Sequence, residues 1–454
     1  MARRLGTDEV AVALGRRLGG NVRGLRRLSG GASRVTSAFE LEGAGGELHP
    51  MILQMVRAGG AGGGGKVPME RALLEAASAA GVPVPVVVAM GVGVGDELGS
   101  DWLVVERLEG ETIPRKILRD AEWAGARHAL TAQCAGALAA IHTIDPGAIE
   151  GLPSVDPLGD PLALLDALGE ARPALELGVR WLARHRPAAG RRVTVHGDFR
   201  FGNLLVGPEG LRGVLDWELA HAGDPAEDIG WLSAPAWRFG GRGEVGGFGS
   251  MDELLGSYAA AGGDVMARDR VHWWQVQATV KWAVICSLQA SAHLSGSTRS
   301  VELAAIGRRV CESEWDLFTL LGVAPGDPAP EAVGKGSPVA PFGRPTAAEL
   351  VEAVREYLEA GVMERSEGGA RFEARVARNA LAVVERELLL GREISAAHAY
   401  RLRDLGIADD AALAAAIRAG DFDVGWEPVA SALAASARDQ LLVANPSYLP
   451  AANA

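Results

Sequence analysis

Lysine is nearly missing from this chain: it occurs at Lys66, Lys116, Lys281 and Lys335 and nowhere else. Cationic contacts must therefore come almost entirely from arginine. Cysteine is scarce too. Cys134, Cys286 and Cys311 form no C-x-x-C or zinc pattern, and an odd number excludes a simple disulfide framework. Each lies in an apolar, helical context and reads as a small buried hydrophobe. Excess positive charge is absent, because 57 acidic residues against 45 basic ones leave a formal net charge of -12. Such a chain repels nucleic acid and anionic lipid, which disfavours a broad nucleic-acid surface but leaves room for a local basic pocket. No long hydrophobic run is present. The most apolar window, "AGVPVPVVVAMGVGVG" at 80–95, is interrupted by prolines and glycines and is short for a membrane span. "MARRLG" is followed by "TDEVAVALGRR", whose acids break any signal-peptide core. A soluble, cytoplasmic protein without nucleic-acid or membrane partners is expected.

What is present is ordinary globular material: 454 residues, 48% hydrophobic and 22% charged, enough for two to four structural units at roughly 100–200 residues each. Residues 8–28 read as a helix leading into a strand. "LSGGASRVTSAFELEG", "HPMILQMVRAGG", "VPVPVVVAMGVGV" and "SDWLVVERLEG" read as turns and strands, with "MERALLEAASAAG" a helix ending at Gly81. From about 120 the apolar period becomes helical. One strand–turn–strand island, "VTVHGDFRFGNLLVGPEGLRGVLDWELA", interrupts it, with a hairpin turn near "GPEG". Long helices follow it. Residues 326–343 are rich in Pro, Gly, Ala and Ser and read as a linker. Beyond it "RPTAAELVEAVREYLEAGV", "RFEARVARNALAVVERELLLG", "ISAAHAYRLRDLG" and "DDAALAAAIRAGD" give four successive helices, and "ANPSYLPAANA" a frayed tail. The expected units are 1–108, 109–325 and 344–454.

The island carries the chemistry. Asp198 lies in a loop after a strand, Asn203 opens the outgoing strand, and Asp216 ends the return strand. A tight hairpin brings Asn203 and Asp216 together at its open end. An amide oxygen and a carboxylate are hard ligands suited to Mg²⁺, which is held by one or two protein groups plus phosphates. A separate Asp can position a hydroxyl for in-line attack. That is the division of labour phosphoryl transfer requires. D-x-x-x-x-N is also the spacing of the protein-kinase catalytic loop.

The string "HGDFRFGNLLV…GVLDWELAHAGDPAEDIGWL" resembles the aminoglycoside phosphotransferase and choline kinase-like superfamily, over roughly residues 20–325. "ALAAIHTID", "GVRWLARHRP", "VKWAVIC" and "SVELAAIGRRVCESEWDL" are similar to the branch found fused to some acyl-CoA dehydrogenases. The resemblance implies an α+β, bilobal, protein kinase-like fold: a small mixed-sheet N-lobe, a larger helical C-lobe holding the catalytic β-hairpin, and then an all-helical C-terminal domain. It implies ATP and Mg²⁺ as cofactors. Asp198 matches the catalytic base, and Asn203 and Asp216 the metal ligands. Ser29, Gly30, Gly31, Ala32 and Ser33 match the nucleotide loop, Glu70 the small-lobe helix glutamate, and Glu106 to Leu108 the adenine hinge. One position departs from the family pattern: where a strand Lys or Arg is usual, this chain has Gln54. The missing charge has two candidate sources, Arg57 and Arg34. Residues 344–454 resemble a helical domain of unknown function that accompanies kinases of this branch, with partner binding or lobe packing as its expected role.

Other features have plainer readings. His196 reads as a residue that orients its loop. Asp224 and Asp228 read equally as helix caps or as supports of the metal site. Trp273, Trp274, Trp282 and Trp315 read mostly as core, with one or two left to line an acceptor pocket. "GAGGGGKV" (60–67) fits G-x-x-x-x-G-K but continues with Val67 and Pro68 where a phosphate loop needs Ser or Thr, so it reads as a flexible loop. The function expected is a small-molecule kinase that phosphorylates a hydroxyl, with a hydroxyacyl-CoA or hydroxy acid as acceptor. The alternatives are an aminoglycoside phosphotransferase, or a nucleotide-binding scaffold of low activity whose C-terminal helices dock a metabolic enzyme.

Overall fold

A computed structural model describes residues 6–28, 34–56, 66–93, 96–326 and 344–450. The glycine loop 29–33, Arg57 and most of the linker lie outside these residues. Helix α1 (Thr7–Leu18) leads into an antiparallel sheet of β1 (Asn21–Arg27), β2 (Arg34–Glu42), β3 (Leu48–Val56), β4 (Val87–Gly91) and β5 (Trp102–Glu106), in the order β1-β2-β3-β5-β4. Helix α2 (Lys66–Ala79) connects β3 to β4. Alternation along the strands sorts the side chains between two cores. Leu53, Trp102 and Val104 join Val10 and Leu14 of α1 on one face. Ile52, Leu103 and Val105 join Leu73 and Ala77 of α2 on the other.

Helices α3 (Pro114–Arg119), α4 (Ala124–Ile141), α5 (Gly159–Leu168) and α6 (Pro173–Arg184) come next. Then come four short strands: β6 (Val193–Val195), β7 (Leu204–Gly207), β8 (Gly210–Val214) and β9 (His221–Gly223). β7 and β8 form the expected hairpin around Pro208 and Glu209, and β6 pairs with β9. The remainder is helical: α7 (Pro225–Ser233), α8 (Met251–Ala260), α9 (Arg268–Leu294), α10 (Val301–Ile306), α11 (Val310–Leu320), α12 (Ala347–Glu356), α13 (Gly368–Asp404), α14 (Asp410–Ala419) and α15 (Glu427–Ala444). Among the described residues no helix is long and apolar enough to cross a membrane.

The chain forms two compact units, Met1–Val155 with Ala188–Val271, and Asp156–Pro187 with His272–Ala454. The first holds the sheet, the hairpin and one continuous core running from α2 through α4 to Phe199, Phe201 and Trp217. In the second, Ala174, Leu177 and Phe318 share a core with Leu413, Ile417, Val429 and Leu433. The 344–450 helices are thus packed into that unit rather than held apart on a tether. Arg418 of α14 also pairs with the buried Glu176 of α6 within this unit.

Two expectations change here. The helices read separately on either side of Gly391 are one 37-residue helix, α13. One glycine costs only about 1 kcal/mol in a helix, too little to break a helix held by its neighbours. The tail is not frayed as far as Leu449. The Tyr448 hydroxyl donates to Asp316 at 2.7 Å, and Asn445 Nδ2 donates to Glu312 at 3.0 Å. The three cysteines are buried free thiols, as expected, and burial pushes those of Cys134 and Cys286 up to about 12.

Candidate active site

The first link in the site is backbone, not side chain. Strand β6 is followed by His196 and Gly197, whose N–H groups both donate to the Asp228 carboxylate, at 2.8 and 2.9 Å. Gly197 takes φ +75°, and a Cβ there would lie 2.3 Å from the Leu219 carbonyl, so only glycine fits this turn. His196 is fully buried. Its Nδ1 accepts from the Asp198 N–H at 3.2 Å, so Nε2 must carry the proton that points to the Leu215 carbonyl at 3.1 Å. Burial lowers its pKa, consistent with a neutral ring that ties the loop to the end of the hairpin. The structural reading of His196 therefore holds.

This loop presents Asp198 with both oxygens engaged. Oδ1 accepts from Arg200 Nε at 2.9 Å and Trp231 Nε1 at 2.8 Å, and Oδ2 accepts from Asn203 Nδ2 at 2.6 Å. The Asn203 amide nitrogen also donates to the Asp198 carbonyl at 3.0 Å. With its NH₂ committed to Asp198, Asn203 has its amide oxygen left to serve as a ligand. The β7–β8 register places Leu204 opposite Val214, and Leu215 N donates to the Asn203 carbonyl at 2.9 Å. Asp216 follows, two residues beyond the end of β8 rather than within it, at φ +66°. Such a conformation is uncommon for a residue with a side chain and collects at functional sites. Burial, and then the nearby carboxylates Glu218, Asp198 and Glu70, push Asp216 up to about 7. Among the described residues no three His, Cys, Asp or Glu side chains form a metal cluster. The donor set is one amide oxygen and one carboxylate in a strongly acidic surround, and this fits a Mg²⁺ ion that completes its shell with phosphate and water.

The sheet register brings a cation to Gln54. Arg34 on β2 lies opposite Val56, and Thr36 opposite Gln54, so Arg34 and Gln54 are diagonal neighbours on one face. Arg34 Nη1 donates to Gln54 Oε1 at 3.0 Å and forms an ion pair with Glu70 Oε2 at 2.5 Å. Its Nε lies 3.6 Å from Glu218. Arg34 and Glu70 are both buried. Desolvation raises the Glu70 pKa and the Arg34 charge opposes that rise. At the position expected for the hinge, Glu106 closes β5 with its N–H on the Val86 carbonyl. Leu108 lies over the hairpin, its Cδ1 2.9 Å from where a Cβ on Gly213 would sit.

The two acids left open in the sequence separate. Asp224 is the cap of α7, accepting from Ala226 N at 3.0 Å and pairing with Arg270. Asp228, four residues on, supports the loop and also meets His142 Nε2 at 3.2 Å, while His142 Nδ1 meets the Tyr258 hydroxyl at 2.7 Å. Residues that carried no role in the sequence complete the site. Trp231 stands one helical turn after Asp228 and reaches Asp198. Arg200 lies over the Trp237 ring, 4.7 Å from its centroid. Trp217, Trp231 and Trp237 thus meet the loop, while Trp273 and Trp274 are buried in the second unit. The i, i+3 spacing of Asp228 and Trp231 puts both on one face of α7, a signal the sequence did contain.

A family model described as the phosphotransferase enzyme family matches residues 24–274, and one described as a domain of unknown function (DUF6285) matches 364–448. Acyl-CoA dehydrogenase family member 10 of Mus musculus is 46% identical over 61 residues, 13% of this chain and 6% of that protein. Family member 11 of Homo sapiens is 32% identical over 102 residues, 20% of this chain and 13% of that protein. The chain therefore spans a small fraction of the length of these curated relatives. A solved structure from Ralstonia eutropha, provisionally named an aminoglycoside phosphotransferase, is similar in fold with a TM-score of 0.53. It is 20% identical and covers 70% of this chain and 99% of its own.

Proposed function

Because the chain belongs to the phosphotransferase enzyme family, we propose that it moves the γ-phosphoryl group of ATP to a hydroxyl of a small acyl acceptor, a hydroxyacyl-CoA or hydroxy acid. The observation that carries this reading is the split within one loop. Asp198 opens the loop with its carboxylate fixed by three donors, and Asn203 closes it with its backbone bonded to Leu215, the residue before Asp216. Asp198 orients the acceptor hydroxyl and takes its proton as the oxygen attacks phosphorus. Trp231 and Arg200, both donating to Oδ1, fix the orientation of the carboxylate. Asn203 and Asp216 would hold Mg²⁺, which when bound neutralises charge on the phosphates. Arg34, anchored by Gln54 and Glu70, takes the place of the strand cation and faces the nucleotide phosphates. Asp228 holds the loop backbone in register with α7. The free thiols suit a reducing, cytoplasmic compartment.

Two alternatives lose support. The scaffold reading rested on the missing charge at Gln54, and Arg34 supplies a cation at the same place. The aminoglycoside reading needed acids to line a pocket for a polycation, with Asp224, Glu227 and Asp228 as the candidates. These are committed to Arg270, to His221 at 3.0 Å and to the loop backbone. The test is to incubate the protein with ATP, Mg²⁺ and short hydroxyacyl-CoA or free hydroxy acids, and to follow phosphorylated product by mass spectrometry. Asp198→Ala should lose at least about 10²-fold in kcat while Mg²⁺–ATP still raises its melting temperature. Wild-type turnover in that variant would remove Asp198 from the reaction.

A further inference from the structure

The chain as a whole is acidic, with a net charge of -12, yet a pocket of about 530 Å³ in the first unit has no acidic residue in its lining. Arg127 and His128 of α4 form one side, and Arg242, Phe248 and the glycines of segment 240–249 form the other. Those glycines are required where they stand. A Cβ on Gly241 would meet the Gly247 carbonyl at 2.4 Å, and one on Gly243 would meet Gly249 N at 2.6 Å. The segment therefore folds back on itself and presents backbone as a wall, pinned by Gly243 N to Gly247 O at 3.1 Å and Val245 N to Gly249 O at 3.0 Å. Arg127 is also fixed, with Nη1 donating to the Ile117 and Asp120 carbonyls at 2.6 and 2.9 Å. Arg242 is exposed and forms no ion pair among the described residues.

This pocket adjoins the catalytic loop. Phe248, one of its walls, stands edge-on to Phe201 with ring centroids 5.1 Å apart. Trp237, just before the segment, carries Arg200. Arg200 and Phe201 both lie between Asp198 and Asn203 in sequence. Two guanidinium groups and an imidazole without a carboxylate repel a polycation and attract an anion. The volume lies in the range of small-molecule sites, well above what one carboxylate would fill.

Building on the acceptor reading above, we propose that the pocket between α4 and segment 240–249 holds a phosphate-bearing end of the acceptor. The enzyme then acts on hydroxyacyl groups attached to a phosphorylated carrier in preference to free hydroxy acids. The probe is adenosine 3′,5′-bisphosphate, the phosphate-rich end of CoA, titrated by calorimetry with the nucleotide site kept full by ADP and Mg²⁺. Wild type should bind it at one site. Arg242→Glu should weaken binding by about tenfold or more, and Arg16→Glu, a charge reversal at an exposed position of α1, should bind like wild type. No binding by wild type, or equal binding by Arg242→Glu, overturns the proposal. In turnover, wild type should prefer hydroxybutyryl-CoA over the same acyl group on N-acetylcysteamine by about tenfold in kcat/KM, and Arg242→Glu should collapse that ratio. A wild-type ratio near one also overturns the proposal. Bisphosphate binding with no hydroxyacyl compound phosphorylated would sink the acceptor reading and leave the anion pocket standing. Phosphorylation of free hydroxy acids without bisphosphate binding would do the reverse.

Discussion

Replacing Arg34 with methionine leaves the Glu70 carboxylate buried beside β2 and β3 without its cation, and leaves Gln54 without its donor. Removing one partner of a buried ion pair costs about 3–5 kcal/mol when the other stays charged. Glu70 has a way to reduce that cost, because it can take up a proton. Its pKa is already raised by burial, and Arg34 is the main influence opposing the rise. Without Arg34 the pKa moves further up. A carboxyl whose folded pKa lies above its unfolded value binds more protons when folded, so stability falls as pH rises through that window. The deficit of the variant should therefore be small near pH 5 and grow toward pH 8. There a loss of about 3 kcal/mol would lower the melting temperature by roughly 6–12 °C for a unit of this size.

Thermal melts across pH 5–8 read the stability, and ATP titrations of turnover read the nucleotide site. Two second-site changes separate the causes. Glu70→Gln in the Arg34→Met background removes the buried charge, so it should restore stability without restoring activity. Gln54→Lys in the same background returns a cation to the neighbouring strand, so it should restore part of both. If Arg34→Met melts like wild type at pH 8 with unchanged ATP dependence, Arg34 is not the substitute for the strand cation. A deficit that shrinks as pH rises would refute the electrostatic reasoning.

Asp228→Asn removes the charge that receives the His196 and Gly197 N–H groups, and should cost about 2–4 kcal/mol at neutral pH by melting. The folded Asp228 carboxyl is held below its usual range by its hydrogen-bond partners despite burial, so the gap between wild type and variant should close as pH falls through and below the ordinary carboxylate range. Trp231→Phe keeps the ring and deletes the donor to Asp198. It should lower kcat by about tenfold at near-constant KM for the acceptor, and a pure KM effect would instead place Trp231 in acceptor binding. Deleting residues 344–454 should give an insoluble or molten chain, detected by loss of the cooperative melt. It strips the helices that cover Ala174, Leu177 and Phe318, and a soluble, cooperatively melting product would show that this core is dispensable.

How much of this was legible depended on how local each feature is. The hairpin and its residues Asp198, Asn203 and Asp216 could be read because a turn at Pro208–Glu209 and a fixed spacing determine their neighbours within twenty residues. The Arg34–Gln54–Glu70 cluster could not. It exists only in the observed β2–β3 register, and a slip of one residue would turn Arg34 to the opposite face. Both candidate arginines were therefore equal on the page of the sequence. Asp224 and Asp228 had the same difficulty in a helix. They are the same residue type one turn apart, and only the packing of α7 against the β6 loop makes one a cap and the other the loop's anchor. Gly391 shows the opposite error, a local signal given too much weight: a helix end was read there, and packing carries α13 through it. The same logic explains why Arg200 went unread. In the sequence it is one more arginine in a chain with 45 basic residues. Its meaning comes from three elements that meet at it: the loop that carries it, the Asp198 carboxylate it grips, and the Trp237 ring beneath it, thirty-seven positions further along the chain.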